Sequence, residues 1–188
     1  VLMITSDAHE GLCDAISKEF PQAAWQRCQF HFSKNIAEKA PKKYQAGIRS
    51  ELSEMFNCIT IEEARRKRDS IIADYQEVAE SAMTCLDEGF ESSMTAMILP
   101  KYLRQYFRTS NHIERINREL KRRSKVIGVF PNEASILRLM GSVLMELNDA
   151  AQARKVLFSP KTYNKLMSTE VKNKLIILAN EQQLLRVS

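Results

Sequence analysis

One carboxylate, Glu114, stands in a run otherwise crowded with cations: between Lys101 and Lys125 there are nine Lys or Arg and only two acids, Glu114 and Glu119. The whole chain carries a formal charge of only +5, so its basicity is concentrated in this stretch. Cations at that density attract a phosphate backbone, and an acid among them can hold a divalent ion that acts on it. A second acid, Asp7, lies in Ser6-Asp7-Ala8-His9-Glu10-Gly11-Leu12, just after the apolar run Val1-Leu2-Met3-Ile4. Open α/β sheets gather their ligands at the carboxyl ends of strands, which is where this acid is expected. Each feature also has a plainer reading. Asp7 fits a turn or helix-capping acid, Glu114 fits the partner of Asn111 in a variant capping box, and a basic helical face is often only solvated.

Both acids depend on the elements that carry them. Ile113, Ile116 and Leu120 recur at i, i+3 and i+7, which predicts a helix ending near Lys125 with Glu114, Arg118, Lys121, Arg122 and Lys125 on its charged side. Val1 to Thr5 reads as a buried strand, Glu10 to Phe20 as a helix stopped by Pro21, and Ala23 to Phe30 as a second strand. Helices take over from His31. Thr60 and Glu63 form a capping-box start, after which Ile61, Ala64, Ile71, Ile72, Tyr75, Val78, Ala82 and Leu86 predict one long amphipathic helix. Gly89 and Pro100 are expected as breakers around a shorter piece. Val126-Ile127-Gly128-Val129-Phe130-Pro131-Asn132 leads into a helix with Ile136, Leu139, Met140, Val143, Leu144 and Leu147 as core, and the tail from about Lys161 reads as two short helices. The fold class is mainly α with a partial α/β remnant. Two short strands do not make a stable sheet alone, so partners preceding Val1 or from another molecule are expected.

At 188 residues and 44% hydrophobic content, the chain can bury a core. No apolar run reaches the roughly 18 residues needed to span a bilayer, and no signal peptide opens the sequence, so a soluble intracellular protein is expected. The start at Val1, inside an apolar run, reads as that of a fragment. Cys13, Cys28, Cys58 and Cys85 are scattered, and reduced thiols are the default. A zinc site from Cys28, His31, His9 and Cys13 has atypical spacing; the favoured reading makes Cys28 a small buried hydrophobe and His31 an anchor or a DNA contact. Neither a Gly-rich phosphate loop nor a nucleophilic triad is legible.

Four segments in order carry a resemblance. They are Ser6-Asp7-Ala8-His9-Glu10-Gly11-Leu12, Trp25-Gln26-Arg27-Cys28-Gln29-Phe30-His31-Phe32, Ser110-Asn111-His112-Ile113-Glu114-Arg115-Ile116-Asn117 and Val126 to Asn132. From Val1 to about Asn148 the chain resembles the Mutator-type transposases of bacterial insertion sequences. The resemblance implies a truncated ribonuclease-H-like core with an all-helical insertion, in which two aspartates and a glutamate bind metal. Asp7 matches the second acid and Glu114 the third, while Cys28, His31, Asn111 and Asn117 match signature positions. The implied organisation is partial core over 1–33, helical insertion over 34–107, core helices over 108–150 and a helical tail over 151–188.

The same resemblance implies Mg²⁺ or Mn²⁺ in the intact parent, for which carboxylates are natural ligands. Implied partners are DNA, as transposon ends and target, and further copies of the chain; no membrane is involved, and the expected setting is the bacterial cytoplasm at the nucleoid. Arg104, Arg108, Arg115, Arg118, Lys121, Arg122, Arg123 and Lys125 are the candidate phosphate contacts, which position DNA without reading its sequence. The family's first acid lies upstream of Asp7, and residues 1 to 6 hold none. This chain alone is therefore expected to be inert and to bind no ion tightly, while its parent breaks and joins phosphodiester bonds. The alternative is a non-catalytic helical nucleic-acid-binding protein, or a regulatory remnant of a transposase, whose acids are caps.

Overall fold

The computed structural model describes residues 1–153 and 158–187, apart from the side chains of His112, Arg186 and Val187. It is mainly helical and divides into two compact units, 1–109 with 166–188, and 110–165.

The first unit opens with a βαβ arrangement. Strand β1 (Met3–Ser6) and strand β2 (Ala24–Arg27) flank helix α1 (Glu10–Glu19) and pair in parallel, Met3 opposite Ala24 through Ser6 opposite Arg27. The second strand is shorter than the sequence pattern predicts. Cys28 already caps helix α2 (Gln29–Glu38), and Phe30, expected in the strand for its bulk, is helical and 53% exposed.

The outer edge of β2 finds a partner within the chain. Ala24 and Cys28 donate their backbone N–H groups to Leu2 and Ser6 of the β1 side, so alternation along the strand turns the Trp25 backbone outward. There the Trp25 N–H donates to Gln182 Oε1 at 2.7 Å, while its carbonyl accepts from Gln182 Nε2 at 2.9 Å and from Thr95 Oγ1 at 2.8 Å. One carboxamide thus supplies the acceptor and donor that a neighbouring strand would present. Gln182 belongs to helix α10 (Thr169–Val187), a long helix where the sequence predicts two short ones; the other is α9 (Pro160–Leu166). Val171, Leu175 and Ala179 bury one stripe of α10.

Helices α2, α3 (Lys42–Phe56), α4 (Ile61–Tyr75) and α5 (Glu80–Ser93) share one core, with Phe32, Ile36, Ile48, Leu52, Met55, Ile71, Leu86 and Phe90 fully buried. The predicted capping box opens α4: Glu63 N–H donates to Thr60 Oγ1, and the Glu63 carboxylate accepts from Thr60 N–H. The single long helix expected from Ile61 to Leu86 is instead two. Val78 and Ala79 bond back to the Tyr75 carbonyl, and Ala79 leaves helical geometry at φ −151°, ψ 45°. The break lets α5 pack on α4, so that Ile71 and Leu86 enter the same core. Helical periodicity cannot distinguish that outcome from one continuous helix. Gly89, expected as a breaker, lies buried inside α5, where an added Cβ would sit 2.3 Å from the Phe32 ring. It is a close-approach residue. A 3₁₀ turn (Thr95–Ile98) and helix α6 (Lys101–Phe107) follow, with Pro100 as the cap of α6.

The second unit holds helix α7 (Asn111–Ile127), helix α8 (Glu133–Gln152) and most of α9. Gly128 ends α7 at φ 73°, a conformation that suits a residue without Cβ. Arg123 Nη2 reaches Glu146 at 3.2 Å and ties α7 to α8. Of the six residues expected as α8 core, only Val143 is buried, while Ile136 and Leu144 are 37% and 44% exposed. Ile113, placed in the apolar stripe of α7, is likewise 55% exposed. A single helix pairing covers one narrow seam, so amphipathic pattern overstates burial in this unit. Among the described residues no helix is long and apolar enough to cross a membrane.

Candidate active site

Asp7 follows the last residue of β1 directly. The cap of α1 is His9, and no side chain caps that helix, so Asp7 does not serve as the capping acid its position allows. Its half-buried carboxylate makes no hydrogen bond or ion pair among the described residues. Its backbone is well held: the Asp7 carbonyl accepts from Ser6 Oγ at 2.8 Å, and Ser6 Oγ in turn accepts from the Trp25 indole N–H at 2.8 Å. Trp25 is therefore a half-buried buttress beneath the acid. Parallel pairing of Ser6 with Arg27 sets Cys28, the next residue of the second strand, beside this strand end, and Cys28 N–H donates to the Ser6 carbonyl at 2.7 Å.

Cys28 is fully buried, and its Sγ lies within 4.8 Å of a His31 ring nitrogen, as a three-residue step on the opening turn of α2 permits. Phe30 meets the His31 ring edge-on at 5.4 Å between centroids. His9 and Cys13 do not gather with this pair into a group able to hold one ion, so the four-residue zinc arrangement is not formed. Two bonds lock the end of α6 to the same region: Thr5 Oγ1 donates to the Phe107 carbonyl at 2.6 Å, and Gln29 N–H donates to the Arg108 carbonyl at 2.9 Å. Sequence reading gave no sign of these ties, since a carbonyl can be contributed by any residue.

In the second unit, Glu114 occupies the first turn of α7 and is half-buried. The helix is capped by Ser110 without a side-chain cap bond; instead the Ser110 hydroxyl donates to Glu114 Oε1, and Asn111 is the first helical residue. The capping box between Asn111 and Glu114 is not formed. Ser110 is a partner of the acid that the sequence reading did not single out, although a hydroxyl four residues before it was the available signal. Asn117 is exposed on the same helix, and the His112 side chain lies outside the described residues.

The cations fall into distinct groups. Glu119 accepts from Arg122 and Arg123, and those two guanidinium groups hold its carboxyl down at about 2. Arg115, Arg118, Lys121 and Lys125 make no ion pair among the described residues. Arg108 donates to Asn57 Oδ1. Arg104 points inward: its guanidinium donates to the carbonyls of Leu99, Ile59 and Met97, and burial lowers its basicity. Those bonds commit its donors to holding the segment after α5 and the turn joining α3 to α4.

Comparison with known proteins bears on the same residues. The sequence model of the family described as Transposase, Mutator family, matches residues 1–153. The transposase for insertion sequence element IS256 in transposon Tn4001 of Staphylococcus aureus is 39% identical over 149 residues, covering 78% of this chain and 38% of that protein. The transposase for insertion sequence element IS1081 of Mycobacterium tuberculosis is 34% identical over 156 residues, 79% of this chain and 36% of that protein. The transposase for insertion sequence element IS406 of Burkholderia multivorans is 35% identical over 161 residues, 83% and 40% respectively. The matches thus span about two fifths of these relatives, and α10, with Gln182, lies beyond the family match. The chain belongs to the Mutator family of transposases.

Proposed function

We propose that this chain serves a DNA transposase that breaks and joins phosphodiester bonds, with Asp7 and Glu114 as ligands of Mg²⁺ or Mn²⁺ on a ribonuclease-H-like core. The observation that carries the reading is the Asp7 carboxylate: half-buried, at the carboxyl end of a parallel strand, supported from beneath by Ser6 and Trp25, and without a protein partner among the described residues. A carboxylate that is neither cap nor ion-pair partner costs desolvation for no structural return, which a bound cation would repay. Carboxylate oxygens are the hard donors such ions prefer. When bound, the ions would supply charge stabilisation at the attacking and leaving oxygens.

The chain's own residues have separable tasks. Ser110 fixes one oxygen of Glu114 and so limits the orientations of that carboxylate. Arg115, Arg118, Lys121 and Lys125 bind phosphates, while Arg122 and Arg123, engaged with Glu119, shape the same face. Cys28 and His31 stand on the opening turn of α2, and Asn111 and Asn117 flank Glu114 three residues to either side on α7. Segments 1–33 and 108–150 act as core, 34–107 as insertion and 151–188 as tail. The intact protein works as a homo-oligomer on transposon ends and target DNA at the bacterial nucleoid.

Mn²⁺ titration followed by NMR line broadening tests this without requiring turnover. Broadening is expected at amides flanking both Asp7 and Glu114, and Asp7→Asn should weaken it at both places by about 10- to 100-fold in apparent affinity. Broadening at Glu114 that is indifferent to Asp7→Asn would refute a shared ion, and no selective broadening at either acid would favour the non-catalytic nucleic-acid-binding reading.

A further inference from the structure

A cleft of about 490 Å³ opens on the first unit between α6 and the turn joining α3 to α4, lined by Asn57, Cys58, Lys101, Tyr102, Gln105 and Arg108, with Phe56 and Arg104 completing its wall. Its size lies within the range of small-ligand sites, roughly 300 to 1,000 Å³. Three of its lining residues are cations and none is an acid, so it favours an anion. Lys101, Gln105 and Arg108 recur at i, i+4 and i+7 and share one face of α6 and its cap. Beside them Tyr102 leaves half of its surface exposed, at 50%. An exposed ring among cations and amides offers stacking, charge and hydrogen bonds together.

The walls are held before any ligand arrives. Arg108 Nη1 donates to Asn57 Oδ1 at 2.9 Å, and Arg104 Nη1 to the Ile59 carbonyl at 2.9 Å, which fasten α6 to the α3–α4 turn. Arg104 keeps its charge beneath the cleft, since a guanidinium does not deprotonate in proteins. A DNA duplex offers such a site its phosphates but keeps its base faces stacked. Only an unstacked nucleotide presents a π-face to a ring and a phosphate to adjacent cations at the same time.

We propose that this cleft takes one unstacked nucleotide of a DNA strand, its base against Tyr102 and its phosphate held by Lys101 and Arg108. Gln105 supplies an amide group for the base edge, while the Asn57 amide, bonded to Arg108 and to the Ser53 carbonyl, holds the wall. The inference rests on the reading that the chain works on DNA, and adds a subsite distinct from Asp7 and Glu114.

Cys58 gives a local readout on the unmodified chain. Its thiol lines the cleft and is half-buried, and burial raises its pKa, so alkylation by iodoacetamide is slow enough to time by peptide mass spectrometry. The probes are a mixed-sequence single-stranded 12-mer, the same sequence as duplex, and polyglutamate. Single-stranded DNA should slow Cys58 alkylation at least fivefold, and duplex or polyglutamate should not. Tyr102→Ala should weaken single-strand affinity about 5- to 100-fold, with Tyr102→Phe within about twofold of wild type. An unchanged alkylation rate in bound single-stranded DNA, wild-type affinity in Tyr102→Ala, or equal protection by polyglutamate overturns the subsite while leaving DNA binding intact. Failure of both single-stranded and duplex DNA to bind would instead sink the DNA reading on which the proposal rests.

Discussion

Gln182→Ala removes a side chain that stands in for a β-strand, and its cost can be worked from the bonds it breaks. Trp25 N–H loses its acceptor at 2.7 Å, whereas the Trp25 carbonyl keeps Thr95 Oγ1 at 2.8 Å after losing Gln182 Nε2. An orphaned, partly buried donor costs about 1–3 kcal/mol, and a redundant second bond at the carbonyl adds about 0.5 kcal/mol. The expected destabilisation is therefore about 1.5–3.5 kcal/mol. Trp25 is the sole tryptophan, so urea unfolding followed by its fluorescence reports from the affected edge itself. Gln183→Ala is the control: it breaks two bonds to Ser17, one of them at 3.3 Å, and should cost about 0.5 kcal/mol. Gln182→Glu sharpens the test. Its carboxylate still accepts from Trp25 N–H but meets the Trp25 carbonyl oxygen without a proton to offer, so the folded pKa should rise above the unfolded value. The penalty is then full at neutral pH, shrinks as pH falls through that raised folded pKa, and is gone below the unfolded value of about 4.3, where the protonated acid imitates the amide. A Gln182→Ala variant within about 0.5 kcal/mol of wild type would refute the strand-surrogate argument.

Two further outcomes follow from the geometry. Gly89→Ala places a methyl 2.3 Å from the fully buried Phe32 ring and 2.6 Å from Arg27 Nη1, so despite a helix-propensity gain of about 1 kcal/mol the variant should lose about 1–3 kcal/mol net in chemical denaturation; a stabilised variant would show that α2 and α5 can separate freely. Glu119 has its folded pKa depressed to about 2 by Arg122 and Arg123, so its contribution is present above its unfolded pKa and lost as pH falls from about 4.5 toward 2. The melting-temperature difference between wild type and Glu119→Gln should be flat near neutrality and narrow only across that acid window, and narrowing near pH 6 would contradict it.

The order of elements, the strand leading into Asp7, the capping box at Thr60 and the cationic helix around Glu114 were legible because each rests on local chemistry: apolar runs, side chains that cap backbone groups, and residue spacing at helical period. The same local logic misplaced Phe30, whose bulk suits a strand but whose neighbour Cys28 already caps a helix. It also joined α4 to α5, because one helix and two successive helices carry the same apolar rhythm. Family membership was legible too, from four short segments in order.

What the sequence alone determined was which side chains can hold a metal or a phosphate, since charge and donor type belong to the residue. Only the tertiary structure decided which of them are engaged. It turned Arg104 inward onto three carbonyls, one of them 45 positions away, left the Asp7 carboxylate without a partner among the described residues, and brought Gln182 across 157 positions to complete the strand at Trp25. The physical reason is that hydrogen-bond satisfaction and desolvation depend on neighbours distant in the chain, which packing selects and local sequence does not encode.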